Sequence, residues 1–373
     1  MSAYWLAWLA TVTFFAGFYA LLVPLPRYLA AIGLPDGQIG LVLGAFGIAS
    51  LIGRPAAGVA TDRFGARPVM LCAAASLAIG AAGVPQTANL QVLLALRLLQ
   101  AVGYVGFTTA GTALVVSLVP PETRARRLAV FGVAANVAIS LTPAAITALL
   151  AFAPTAAGLL ASAAFAAAGG ALAAALRAIP RSSSATSQKQ WTLPRRVWLP
   201  MLASGLLGAG FAAFYQFAPI LAERRGVSSG ALYAIYGGAI IATRVFGNPI
   251  FVRLSVARIV ALGAVLMAVG HAIVAASDVP AVLLAAPVLV AVSGGLFHPT
   301  LIAHHAALLP ETPGRASAAF YVAFDLGIGL GSWLFGVMLQ LAGLAGLYTT
   351  ASVLALSVLP LARALKQPEE EKA

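Results

Sequence analysis

The chain has 373 residues, of which 61% are hydrophobic and 9% charged, and its mean hydropathy is +0.97. A soluble chain carries about 25% charged residues, so this composition excludes a soluble globular enzyme or nucleic-acid-binding domain, which it could not coat with polar surface. The net charge of +12 has to be explained by where the cations stand along the chain rather than by a polyanionic partner.

Apolar runs of membrane-spanning length recur from end to end. Pro, Gly and charge clusters divide them into twelve predicted spans, at 4–25, 37–60, 68–86, 90–118, 127–150, 155–177, 197–221, 230–253, 259–277, 280–308, 316–340 and 344–364. Period-two alternation is absent, so the spans are predicted as helices and not as barrel strands. No basic stretch precedes the first run, which is read as a span and not as a cleaved signal.

After span 2 comes a compact charged loop. Gly58, Asp62, Arg63, Gly65 and Arg67 stand between two long apolar runs. Cys72, the single cysteine, excludes an intramolecular disulfide and a cysteine-based metal cluster. Span 4 carries Arg97, then Gln100, Tyr104 and Thr108 at i+3, i+7 and i+11, which is one helical face. A polar stripe on an apolar helix is expected to line a wet cavity. Span 5 places Asn136, Ser140, Pro143 and Thr147 on one face. Such small polar residues join helices or line a cavity, and the pattern leaves both open.

A Ser-rich stretch, Arg181 to Arg196, follows span 6. It has too little apolar content to build a core and is expected to be a cytoplasmic linker. Three regions result: a first six-helix bundle over 1–178, the linker over 179–196, and a second bundle over 197–366, with a solvated tail at 367–373. Span 7 carries Tyr215 and Gln216 among Phe211, Phe214 and Phe217, and span 8 carries Arg244. Span 10 holds His298, His304 and His305. His298 and His305 are two turns, about 10 Å, apart, too far to share one ion, so no metal site and no cofactor are expected. In span 11, Asp325 lies ten residues in, about 15 Å deep at 1.5 Å per residue. Ionisable groups at that depth are functional candidates by default, and a carboxyl there can take up and release a proton.

The cations sort by side. Even-numbered spans end in Arg63 and Arg67; Arg124, Arg126 and Arg127; Arg177, Arg181, Lys189, Arg195 and Arg196; Arg253 and Arg258; Arg315; and Arg363, Lys366 and Lys372. With Arg54 these make seventeen of the 22, against Arg27, Arg224 and Arg225 opposite. The positive-inside rule then predicts cytoplasmic termini. The halves also repeat. Pro121, Glu122, Arg126 and Asn136 match Pro310, Glu311, Arg315 and Asp325 at an offset of 189, and Arg54 and Arg63 match Arg244 and Arg253 at 190. Val252 stands where the first copy has Asp62.

The loop from Gly58 to Arg67 resembles the loop between helices 2 and 3 of the major facilitator superfamily, and the two six-span halves extend that resemblance over nearly the whole chain. Arg97, Gln100 and Gly103 resemble the span-4 motif of that family. The stretch Asp325-Leu-Gly-Ile-Gly-Leu-Gly331 resembles a set of bacterial sugar-efflux or drug-efflux-like permeases. The span-5 motif of proton-coupled exporters is reduced: Pro143 is kept, and Thr142 occupies the usual glycine position.

The resemblance implies an all-α membrane fold of twelve helices in two pseudo-symmetric bundles. It implies secondary transport by alternating access, not an enzyme. It also assigns Gly58, Asp62, Arg63, Gly65, Arg67, Arg126 and Arg315 to a cytoplasmic gate, in which the acid meets the start of span 11 and loop arginines. No phosphate-binding loop occurs, so a proton gradient is the expected energy source. The expected reading is export of a small organic compound by proton antiport. It involves Asp325, Arg97, Gln100, Tyr104, Thr108, Asn136, Tyr215, Gln216, His298 and Arg244, with import by symport and a non-transporting scaffold as rivals. The expected setting is a bacterial inner membrane, with the chain as a monomer in the lipid bilayer and without nucleic acid.

Overall fold

A computed structural model describes residues 2–120, 124–176, 193–309 and 312–365. Most of the expected linker, the tail, and the Pro121-Glu122 and Pro310-Glu311 pairs of the repeat lie outside these residues. All regular elements among the described residues are helical. Lipid offers backbone groups no hydrogen-bond partner, so each segment satisfies its own N–H and C=O groups as a helix.

Residue contacts group the chain into two units, Met1–Ile32 with Ile48–Trp191, and Gly33–Gly47 with Thr192–Ala373. Eleven helical stretches of the described residues are long and apolar enough to cross a membrane. The last, Arg315–Ala364, runs through Gly343, whose φ of 65° and ψ of −163° break the helix. A residue with a Cβ rarely adopts that conformation, so the glycine divides the stretch into two arms. These arms are the eleventh and twelfth predicted spans, and the first spanning stretch, Ala3–Ala31, is two helices, of which the predicted span 4–25 covers the first.

The first unit contains α1 (Ala3–Ala20), α2 (Pro24–Ala31), the second part of α3 (Asp36–Phe64), α4 (Ala66–Gly83), α5 (Leu90–Leu118), α6 (Arg124–Leu149) and α7 (Thr155–Ala174). Its helices meet through small residues, which let backbones approach where lipid removes the hydrophobic drive between helices. Gly17 of α1 lies so close to α7 that a Cβ there would stand 2.8 Å from the Ala166 nitrogen, and Ser162 Oγ donates to the Gly17 carbonyl at 2.6 Å. Asn89 begins α5 by accepting from the backbone N–H groups of Gln91 and Val92, the usual cap of a helix N-terminus.

The second unit contains the first part of α3, then α8 (Trp198–Arg225), α9 (Ser229–Phe246), α10 (Asn248–Arg253), α11 (Val256–Ala276), α12 (Pro280–Leu283), α13 (Ala286–Leu308), α14 (Pro313–Leu356) and α15 (Val358–Ala364). α14 is its axis. On one side Gly40, Gly44 and Gly47 of α3 press on Gly329, Ser332 and Gly336; on the other, Gly205 and Gly208 of α8 press on Gly327 and Phe324. Arg225 donates to the carbonyls of Val274 and Ser277, closing the end of α11, and pairs with Asp278 at 2.8 Å. Arg224 pairs with Asp36, the first residue of α3, at 2.9 Å.

Candidate functional site

In the first unit, the predicted span-4 stripe divides between two neighbours. Arg97 is 3% exposed, and its guanidinium donates to Gln100 Oε1 at 3.0 Å. The Gln100 amide in turn donates to the Gly80 carbonyl of α4 at 2.8 Å. That reach needs the bare face of Gly80, where a Cβ would stand 2.8 Å from Gln100 Cγ. The charge is thus held through a side-chain amide on the backbone of the next helix. Higher on the same stripe, the half-buried Tyr104 packs on α1, its ring 4.3 Å from that of Phe18 and 5.9 Å from that of Phe15. Thr108 Oγ1 returns to the Tyr104 carbonyl at 2.9 Å. In α6, Ser140 and Thr147 likewise donate back to the carbonyls of Asn136 and Pro143.

The charged loop resolves residue by residue. Gly65 has φ 89° and ψ 159°, a region almost confined to glycine, and lets α3 turn into α4. Gly58 has open space where a Cβ would go. Asp62 is exposed and has no hydrogen bond or ion pair to a described residue. Of its expected partners, Arg67 donates to the Ala174 carbonyl at the end of α7, and Arg63 lies over the Phe64 ring at 5.2 Å. The Arg126 side chain lies outside the described residues, and Arg315 is half-buried at the start of α14.

In the second unit, Asp325 is 4% exposed and is the one carboxylate among the buried polar side chains described. Its position is fixed by backbone approach. A Cβ on Gly47 would stand 2.6 Å from the Asp325 carbonyl, and Gly208 abuts the carbonyl of Phe324. Glycines on α3 and α8 therefore grip the turn that carries the acid.

Beside it is an aromatic cluster that sequence reading only partly anticipated. His298 is ringed edge-on by Phe320 at 4.8 Å, Phe324 at 5.5 Å and Tyr321 at 5.9 Å. Tyr215 packs on Phe211 at 4.2 Å and on Tyr236 at 5.6 Å, and its carbonyl accepts from Tyr233 Oη at 2.7 Å. Gln216, on the next residue of α8, is buried. Phe320, Tyr321, Phe324 and Tyr236 were not singled out from sequence. The available signal was the i, i+4 spacing of Phe211 with Tyr215 and of Phe320 with Phe324, which puts each pair on one helix face.

Arg244 is exposed at the end of α9 and lines a cavity of about 600 Å³ with Thr300 and His304. His305 is fully buried, its Nδ1 2.7 Å from the Leu301 carbonyl. Among the described residues, no three His, Cys, Asp or Glu side chains gather as metal ligands.

The family model for the Major Facilitator Superfamily matches residues 7–259. The chain belongs to the major facilitator superfamily. Within the family, a stretch of 123 residues is 32% identical to the mouse Major facilitator superfamily domain-containing protein 10, covering 31% of this chain and 27% of that protein. A stretch of 108 residues is 32% identical to the multi-drug resistance efflux pump PmrA of Streptococcus pneumoniae, covering 28% of this chain and 27% of the pump. The matches thus span 27% of the length of these relatives. The nucleoside transporter NupG, in its D323A mutant structure, superposes with a TM-score of 0.82 over 98% of this chain and 99% of that one, at 16% identity. At that identity the likeness shows the shared fold. This facilitator is a multi-pass membrane protein of a transporter family.

Proposed function

We propose that this facilitator is a proton-coupled antiporter that exports a small organic compound by alternating access. The observation that carries the reading is Asp325, a buried carboxylate on an apolar spanning helix. A charged group at such depth is costly, and alternate protonation gives it a use: the neutral acid crosses one conformational change and the anion the other. Arg97, held by Gln100, is the fixed cation of the first unit. Tyr104, Thr108 and Asn136 in the first unit, and Tyr215, Gln216 and His298 in the second, offer substrate contacts. The buried charge of Arg97 favours neutral or anionic compounds over cations. The short match to an efflux pump supports the outward direction. The loop cations support cytoplasmic termini, and the Asp62 loop is assigned to a gate that closes in another conformation of the cycle.

The test is proton movement in proteoliposomes challenged with a panel of sugars, amphiphilic drugs and organic acids. One or more compounds should drive proton movement opposite to their own. Asp325→Asn should lower that coupled flux at least tenfold while binding persists. Unchanged pH-dependent flux in the variant would overturn the assignment of Asp325. Proton and compound moving in the same direction would replace export by import.

A further inference from the structure

We propose that the cavity enclosed by α9, α10, α11 and α13 is a site for an anionic phospholipid, with the phosphate at Arg244 and an acyl chain along Leu254, Val256 and Ile259. The cavity holds about 600 Å³, within the usual range for organic ligands. Its wall is apolar apart from Arg244, Thr300 and His304. Thr300 Oγ1 is already engaged with the Leu296 carbonyl at 2.8 Å, which leaves the guanidinium and the imidazole to meet a polar head.

Charge supplies the argument for the head. Arg244 forms no hydrogen bond or ion pair with a described residue, and the exposed Arg253 and Arg258 stand on the adjoining turns of α10 and α11. The stretch from Ser229 to Leu308 contains one acid, Asp278. That acid sits just past the far end of α11, paired with Arg225. Among the described residues the cavity end is therefore cationic with no acid paired to Arg244, and a phosphate accepts a guanidinium's paired donors well.

The surroundings supply the argument for the tail. Phe246 and Val252, on the two sides of the α9–α10 break, are each 76% exposed. An apolar rim beside a cationic recess suits a two-part amphiphile and not a free inorganic anion. The recess also lies at the end of the spans where the loop cations gather, the side that faces the anionic leaflet. The proposal goes beyond the transport reading, and its measurement is binding and not flux, so either can fail alone.

The experiment is native mass spectrometry of the full chain purified in the presence of equimolar phosphatidylglycerol and phosphatidylcholine with identical acyl chains. The chain should retain phosphatidylglycerol at least tenfold over phosphatidylcholine. Arg244→Gln with Arg258→Gln should lower that retention at least fivefold, while Arg224→Gln, at the opposite end of the unit, leaves it unchanged. Ala303→Trp fills the cavity and keeps every cation, so it should also remove the lipid, which keeps the test decisive where the double variant does not fold. Equal retention of the two lipids, or retention unaffected by both cavity variants, overturns the site. Displacement of the lipid by millimolar inorganic phosphate would make it a small-anion site and overturn the role of the acyl chain.

Discussion

The loop that links α3 to α4 and the loop that links α9 to α11 align in sequence at an offset of 190, yet they fold differently. In the first, α3 continues through Pro55 to Phe64, Gly65 makes the turn, and Arg67 reaches the end of α7. In the second, the helix stops at Phe246, Pro249 helps start the six-residue α10, and Ser255 caps α11 by accepting from Arg258 N–H. Pro lacks the N–H that a continuing helix would need, and it is tolerated where a new helix begins. The first loop keeps an acid among its cations. The second has Val252 in that place and opens beside a cavity. Thus one lost carboxylate and one displaced proline turn a mixed-charge loop into a purely cationic recess.

Four substitutions test this contrast. Gly65→Val should lower stability by about 1–3 kcal/mol, because the glycine-only backbone region resists a β-branched side chain. A melting temperature equal to that of the parent in detergent would show that the turn readily takes another form. Arg67→Ala should cost about 1.5–3 kcal/mol, the value of a hydrogen bond from a charged group, and amide exchange should rise at the C-terminus of α7. Protection there unchanged would deny Arg67 its clamping part.

Val252→Asp restores the acid to the second loop. It should lower phosphatidylglycerol retention about threefold by offsetting one cation within a Debye length of the site, with the melting temperature little changed. Retention equal to the parent would separate the loop charge from the cavity. Asp62→Asn should change stability least, since the exposed carboxylate has no described partner and isolated surface charges contribute little. Flux should nevertheless fall in the same variant through the gate; parental flux together with parental stability would leave the acid without a part in the cycle.

The fold was largely legible. Composition, run length and loop charge point to twelve spanning helices because lipid permits few backbone solutions. Even the merged eleventh and twelfth spans were separable, since 340–344 carries the glycine that breaks them. Of the candidate site, the sequence singled out Arg97 and Asp325 as charges on apolar helices, and the structure buries both. The site was not legible where meaning depended on a neighbour. Nothing in the run Arg97-Leu98-Leu99-Gln100 says that Gln100 will reach the carbonyl of Gly80, twenty residues away on another helix. Nor does the separation of Gly47 and Gly208 from Asp325 reveal that both glycines press on one turn of α14.

By itself the sequence determined that this is a helical membrane protein, which stretches are long and apolar enough to span, which loops are cationic and which ionisable groups stand on apolar helices. Each of these follows from local composition and from the cost of leaving polar groups in hydrocarbon. Only the tertiary structure decided that Arg97 is tied through Gln100 to α4, that aromatic rings surround His298, and that Arg244 opens on a cavity. The first depends on the bare face of Gly80, and the others on which helices lie side by side. Such contacts join residues far apart in the chain, and close packing, unlike hydropathy, leaves no period in the sequence from which to read them.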